Sequence, residues 1–284
     1  MSVVRELQEQ LQQTQTAKFV TTMLRDISAT RLQSIRAEVE ANQTYYQELH
    51  ELMALVKQYA ADNRINIELG EHERIYIAVT ANRRFYGHVN NDVMDAFVEA
   101  LQSDQAAAGY VIGATGAQYW EQERPETTQT PSFLTPSDRS RILDVPTQTE
   151  IRNIVEAVSG YNEVVIVHPQ FVNSFVQEAR QTDLTHVPHT DKKEAPSVDY
   201  IVEPDVPALL RFFRTQVRLV LFRRVVLETR LALTGARLMK MQRARERAKE
   251  LEQQERRHIH KQISTIQNMR LLETFTGFVS DRTI

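Results

Sequence analysis

Both ends of the chain place apolar residues at steps of three and four, and the middle does not. The N-terminal stripe starts at Val20, Leu24 and Ile27 and extends through Ile35, Val39, Tyr46, Leu49, Met53 and Val56. The C-terminal stripe runs through Leu227, Leu231, Leu238, Met241, Ala248 and Leu251, and Ile259, Ile266 and Met269 continue it. This is the helical period, with positions close to a coiled-coil seam. Helix breakers respect the same division. All nine prolines lie between Pro125 and Pro207, no glycine precedes Gly70, and Ala208–Ile284 holds only Gly235 and Gly277. Proline removes a helical donor and clashes with the preceding turn, and glycine weakens a helix entropically, so each terminus is predicted to form one long helix. The first stripe is interrupted from Gln12 to Lys18 by QQTQTAK, a turn that is either exposed or faces a polar partner. Asp62-Asn63 and Gly70 end the first helix.

About seventy helical residues at 1.5 Å each span roughly 100 Å, wider than most globular cores. The C-terminal helix therefore needs a partner beyond its own middle domain. The N-terminal helix supplies one, giving an antiparallel two-helix coiled coil.

Between the helices the pattern shortens. Ile75–Val79, Tyr110–Gly113 and Val164–Val167 read as strands, and Asp199–Val202 as a further one. Asn90-Asn91-Asp92 offers an N-cap for a helix to about Leu101, and Thr147–Glu150 is a capping box for a helix to Val158. Alternating strands and helices predict a mainly parallel α/β sheet. Residues 124–146 and 183–197 read as loops. The expected organisation is an N-terminal helix over 1–69, an α/β domain over 70–207 and a C-terminal helix over 208–284.

Composition narrows the function classes. With no cysteine among 284 residues, disulfide and thiolate chemistry are excluded. The N-terminus has neither a signal core nor a transit pattern, so a bacterial cytoplasmic protein is expected. The apolar run Ala208–Leu227 carries Arg211, Arg214, Arg218, Arg223 and Arg224, which argues against a membrane span and for a buried helix with snorkelling arginines. The net charge of −3 hides an asymmetry: residues 208–284 hold 17 Lys/Arg against 7 Asp/Glu, and residues 70–207 hold 10 against 21. A basic helix joined to an acidic domain suggests an acidic partner for the helix.

Catalytic chemistry is not evident. Gly113-Ala-Thr-Gly116 resembles part of a phosphate loop but lacks the rest of either nucleotide motif, and reads as a strand-ending turn. His186, His189 and Asp191 have metal-ligand types without convincing spacing, so no metal and no cofactor is expected. Glutamates interleave the basic helix and no aromatic lies between Phe222 and Phe275, which argues against nucleic acid.

The order of motifs resembles the gamma subunits of F-type ATP synthases over nearly the whole chain. Thr16, Lys18 and Met23 match the family's NTQKITKAM segment, and Thr80–Asn90 follows its strand as TSDRGLCGGLN does. Phe171–Ser174 is similar to KFVN, and Tyr200–Pro204 to YxxEP. Ala236–Ala248 is similar to SRMxAMxxAxxNA, and Leu271–Glu273 with Gly277 to ELLEIxGG. Two departures stand out. Arg84 and His88 replace glycines, so that turn is expected to differ. Ile263–Asn268 stands where the family has RQxxIT, without the arginine and glutamine that grip a catalytic-subunit loop.

The resemblance implies a coiled coil of both termini joined to a smaller α/β domain, in a non-catalytic central rotor stalk. The implied partners are a ring of catalytic and non-catalytic subunits, an epsilon-type subunit and a membrane rotor ring, at the cytoplasmic face of a bacterial inner membrane. Met23, Arg237, Lys240, Arg243 and Arg245 are the expected partner contacts. The alternative is a stand-alone coiled-coil scaffold that kept the architecture without the rotary role.

Overall fold

The computed structural model describes residues 2–62, 72–123, 125–127, 130–134, 146–173, 175–185 and 206–280. Helix α1 is Ser2–Asp62 and helix α5 is Val206–Ser280. Between them lie β1 (His72–Val79), α2 (Val89–Ser103), β2 (Ala108–Ile112), α3 (Ala114–Glu123), β3 (Ser132–Leu134), α4 (Gln148–Ala157), β4 (Tyr161–Phe171) and β5 (Gln177–Asp183). The sheet order is β3-β2-β1-β4-β5, parallel except for the antiparallel β4–β5 pair. The fold is thus a mainly parallel α/β sheet with long terminal helices. The expected strand at Asp199–Val202 and the His186/His189/Asp191 group lie outside the described residues.

The chain forms two compact units, each taking part of both long helices. A coil unit comprises Met1–Ile27 and Leu238–Ile284, and a sheet unit comprises Ser28–Arg237.

In the sheet unit, alternation along β1 divides the core. Ile75, Ile77 and Val79 face a layer holding Ile151, Ile154 and Val155 of α4 and Val217, Leu221, Phe222 and Val225 of α5. Tyr76 and Ala78 face Val93, Met94 and Phe97 of α2. Period-two side-chain direction lets one strand supply both layers. The capping box at Thr147 is present: Glu150 N donates to Thr147 Oγ1 at 3.3 Å, and Thr147 N donates to Glu150 Oε2 at 2.8 Å.

Several local features differ from the sequence reading. Helix α2 has no side-chain N-cap. Asn90 instead points its Oδ1 back to accept from Ala81 N at 3.0 Å, holding the β1–α2 loop. Strand β5, QEARQTD, has no apolar alternation to reveal it. It forms because the turn before it closes on Asn173, whose Oδ1 accepts from Phe175 N (2.8 Å) and Val176 N (3.0 Å). The arginines of α5 do not all snorkel. Arg218 is buried and donates to four carbonyls of the α4–β4 turn, at Val158, Ser159, Tyr161 and Asn162, over 2.7–3.4 Å. Oriented carbonyl dipoles of this kind stabilise a buried charge. Gly235 on α5 is required by packing, because an added Cβ would sit 2.8 Å from the Phe171 ring.

Candidate interaction surface

In the sheet unit, the loop that most resembles an anion site is filled by its own chain. The first turn of α3 exposes three backbone donors, and each has an internal acceptor. Ala114 N donates to Asn82 Oδ1 (3.0 Å), Thr115 N to Ala81 O (3.0 Å) and Gly116 N to Thr80 Oγ1 (3.0 Å). Gly113 has φ +106°, and a Cβ there would meet Thr80 O at 2.3 Å. This glycine therefore serves strand–helix contact, not phosphate approach. Among the described residues no group of three or more His, Asp or Glu is placed to hold a metal.

The neighbouring turn absorbs its missing glycines. Positive φ falls at Gly87 (+69°) and Phe85 (+81°), and neither Arg84 nor His88 needs it. His88 sits at φ −94°. The strained residue is Phe85, whose ring is exposed. Tyr86 beside it is buried, and the Arg237 guanidinium lies over its ring, 4.5 Å from the centroid, while donating to its hydroxyl. Arg237 is thus engaged within its own unit.

The sheet unit also holds one buried and one half-buried titrating group. His168 on β4 is fully buried with Nε2 2.9 Å from Thr182 Oγ1, and burial lowers its pKa to about 4, with Arg180 and Arg224 adding to the effect. Burial raises Glu228 above the usual carboxylate range, against the opposing pull of Arg224 and Arg180. His168 is a core residue with a polar partner in Thr182, and Glu228 is a half-buried one with Gln170 beside it.

The coil unit is different. Along α1 the inward positions are Val4, Leu7, Leu11, Thr14, Lys18, Thr21 and Arg25, an alternation of three- and four-residue steps. Along α5 they are Met241, Arg245, Ala248, Glu252, Glu255, Ile259, Gln262 and Ile266. This is a heptad seam, but its middle is polar. Glu252 is only 9% exposed. Its carboxylate accepts from Lys18 Nζ at 2.7 Å, Gln15 Nε2 at 3.3 Å and Arg256 Nη2 at 2.9 Å. Those hydrogen bonds hold its pKa down at about 2. Thr14 Oγ1 donates to Glu255 Oε1 at 3.0 Å. The interrupted segment Gln12–Lys18 thus faces a polar partner, one of the two options its sequence allowed.

On α5 the apolar stripe read from sequence lines this seam at Met241, Ala248, Ile259 and Ile266; on α1, where Leu24 is half-buried, it does not. Phe19 (65% exposed), Val20 (48%), Met23 (48%) and Ile27 (45%) all face outward. On α5, Leu251 and Met269 of the expected stripe are exposed too, as are Leu271, Leu272 and Phe275. Periodicity located both helices and the inner face of α5, but on α1 it put Val20 and Ile27 on the wrong face, where Lys18 instead meets Glu252. Lys240 and Arg243 are exposed, and Arg245 is half-buried. Four of the five expected contact residues therefore lie in the coil unit, and Arg237 does not.

Three comparisons bear on what this surface serves. The family model described as ATP synthase matches residues 3–262. The match stops immediately before Ile263–Asn268. The chain is similar to the ATP synthase gamma chain of Desulforamulus reducens, 25% identical over 260 residues, covering 88% of this chain and 89% of the relative. It is also similar to that of Desulfitobacterium hafniense, at 22% over 264 residues with the same coverage. Among solved structures, a chain of the Tetrahymena thermophila mitochondrial ATP synthase central stalk and c-ring superposes with TM-score 0.56 at 13% identity, covering 79% of this chain and 99% of that one. A chain of the Euglena gracilis mitochondrial ATP synthase OSCP/F1/c-ring assembly gives 0.52 at 13% identity, covering 89% and 95%. These two likenesses concern the fold.

Proposed function

The chain belongs to the ATP synthase family as a gamma chain, and on that premise we propose that it turns as the central stalk of a rotary ATP synthase. It is a non-catalytic subunit; bond making belongs to the ring around it. The observation that carries the reading is the coil unit, a pair of helices from both chain ends with an outward apolar stripe and an exposed basic face. Such a surface suits sliding contact. Long-range attraction between a basic face and acidic levers tolerates rotation, whereas interlocked side chains resist it.

In this reading the coil unit stands within alternating catalytic and non-catalytic subunits, and the sheet unit meets an epsilon-type subunit and the membrane rotor ring. Ion flow turns the ring, and the asymmetric shaft drives each catalytic site through its states. Attachment to the membrane is peripheral, through the complex; among the described residues no helix is long and apolar enough to cross a bilayer. The cytoplasmic face of a bacterial inner membrane is the proposed location. Met23, Lys240 and Arg243 are the proposed contact residues, with Arg245 reaching out from its half-buried place at the seam. Arg237 joins them only by leaving the Tyr86 ring. No observation favours a stand-alone scaffold.

The test is purification of the tagged chain from gently solubilised native membranes, followed by ATPase assay of the assembled complex. Recovery of catalytic subunits and a rotor-ring proteolipid is expected, and Arg243→Glu with Arg245→Glu should lower coupled turnover without loss of assembly. A chain recovered alone at native expression overturns the stalk assignment. Unchanged turnover in the assembled double variant overturns only the electrostatic contact.

A further inference from the structure

Before Thr14 the inward face of α1 in the coil unit is apolar, at Val4, Leu7 and Leu11; from Thr14 to Ile27 the helix carries two stripes on opposite sides, and the fold buries the less apolar one. At 100° per residue, implied by 3.6 residues per turn, Phe19, Val20, Met23 and Ile27 centre about half a turn away from Thr14, Lys18, Thr21 and Arg25. Over this segment hydrophobic burial by itself favours a local roll of α1 that brings the first set inward, whereas Val4, Leu7 and Leu11 hold the preceding turns as they are. Yet those four side chains remain 45–65% exposed, while the second set lines the seam. Something specific opposes the roll.

The only inward group on α5 bonded to two α1 side chains among the described residues is Glu252. Arg256, one turn along α5, fixes the same carboxylate through two donors, at 3.2 and 2.9 Å. The carboxylate is therefore held in place before α1 is considered. A roll of α1 would withdraw Lys18 and Gln15 and leave a carboxylate buried with Arg256 alone. We propose that Glu252 is an orientation key: with Lys18 and Gln15 it sets the angular position of α1 in the coil unit and so keeps the Phe19–Ile27 stripe facing outward. Buried polar groups in coiled coils are best attested in this specifying role, at some cost in stability. Lys18 and Glu252 are thus positioning residues, acting through the stripe they orient. That the oriented stripe meets the catalytic ring rests on the stalk reading; the key itself does not.

The natural absence of cysteine gives a clean assay on the full chain alone. Thr16 lies on the outward face, one turn before Val20, and Thr21 lies in the seam. Thr16→Cys and Thr21→Cys, each made singly, report the two faces by their rates of maleimide labelling. Thr16→Cys should label faster. Adding Glu252→Leu should slow labelling at Thr16→Cys and speed it at Thr21→Cys, shifting their ratio about tenfold, the size of a modest two-state population change, with helical circular dichroism unchanged. An unchanged ratio overturns the key. Faster labelling at both sites also overturns it, since that is the signature of loosening and not of rolling. If Glu252→Leu loses helicity, Lys18→Met decides by the same criteria. Lys18→Arg, which keeps the charge, should retain the original ratio. Whether the chain copurifies with ring subunits has no bearing on these rates, so the key and the stalk reading fail separately.

Discussion

The sheet unit and the coil unit solve the same problem, fixing a long helix, by opposite means. In the sheet unit α5 buries Val217, Val220, Leu221, Phe222, Val225 and Val226 in a continuous apolar core, and an enclosed charge, Arg218, is held by carbonyls. In the coil unit the same helix buries Met241, Ala248 and Ile259 but gives its central seam position to Glu252. Apolar burial is strong and indifferent to angle; ion pairing is weaker and specific. The first suits a body that must hold together, and the second suits two helices that must present fixed outer faces.

The largest effect expected from this contrast is in the apolar core. Phe222→Ala should cost the sheet unit about 3–5 kcal/mol, read by denaturant unfolding of Trp120 fluorescence. Trp120 is the single tryptophan and packs edge-on to Phe97 and Phe133 at 6.4 and 6.2 Å, so it reports this unit. Leu251→Ala, at a half-exposed position of the coil unit, should change stability by no more than roughly 0.5 kcal/mol. Similar losses at both positions would erase the distinction.

Acid should separate the two units. His168 is held neutral in the folded state with a pKa near 4, below its unfolded value of 6.5, so the unfolded chain binds the extra proton between these limits. Stability of the sheet unit is full above pH 6.5 and should fall by about 3 kcal/mol as pH drops toward 4. His168→Gln should flatten that slope in the Trp120 signal. Glu252, with its folded pKa near 2 against 4.5, contributes stability that is full above 4.5 and lost as pH falls toward 2. Loss of helical signal at low pH should therefore trail the loss of the Trp120 signal. Coincident transitions would mean that the two units do not titrate through these groups.

Replacing the polar key by apolar residues should strengthen the coil while blurring it. Lys18→Leu with Glu252→Leu is expected to raise stability by about 1–4 kcal/mol, seen as a higher midpoint in thermal circular dichroism. A lower midpoint would assign the network to stability instead of orientation. The smallest effect belongs to the strained turn. Phe85→Gly should stabilise the sheet unit by about 1 kcal/mol or less, because φ +81° costs glycine little and the exposed ring gives up no core contact.

How much of this was legible differs between the same two regions. Ile35 of the sequence stripe is buried in the sheet unit as expected, and strands β1, β2 and β4 lie where β-branched runs placed them. There the hydrophobic pattern is the physical cause of packing, so reading it amounts to reading the fold. In the coil unit the same rule turned Val20 and Ile27 the wrong way, since a single helix does not reveal that Glu252 waits opposite Lys18. Strand β5 escaped notice for a related reason: an edge strand needs only backbone pairing on one side, which leaves no apolar alternation in QEARQTD. The contact residues fared similarly. Charge asymmetry pointed to the basic helix, but nothing local to Arg237 announced Tyr86 as its neighbour.

The sequence by itself determined two breaker-free helices, an α/β middle and, through its ordered motifs, the family, because helical period, proline exclusion and motif order are properties of the chain as a string. The tertiary structure alone decided which face of α1 points inward, which arginine is clamped and which loop donors are already satisfied. Those outcomes depend on groups more than two hundred residues apart meeting at hydrogen-bond distance, as Lys18 and Glu252 do. A local pattern carries no record of its distant partner.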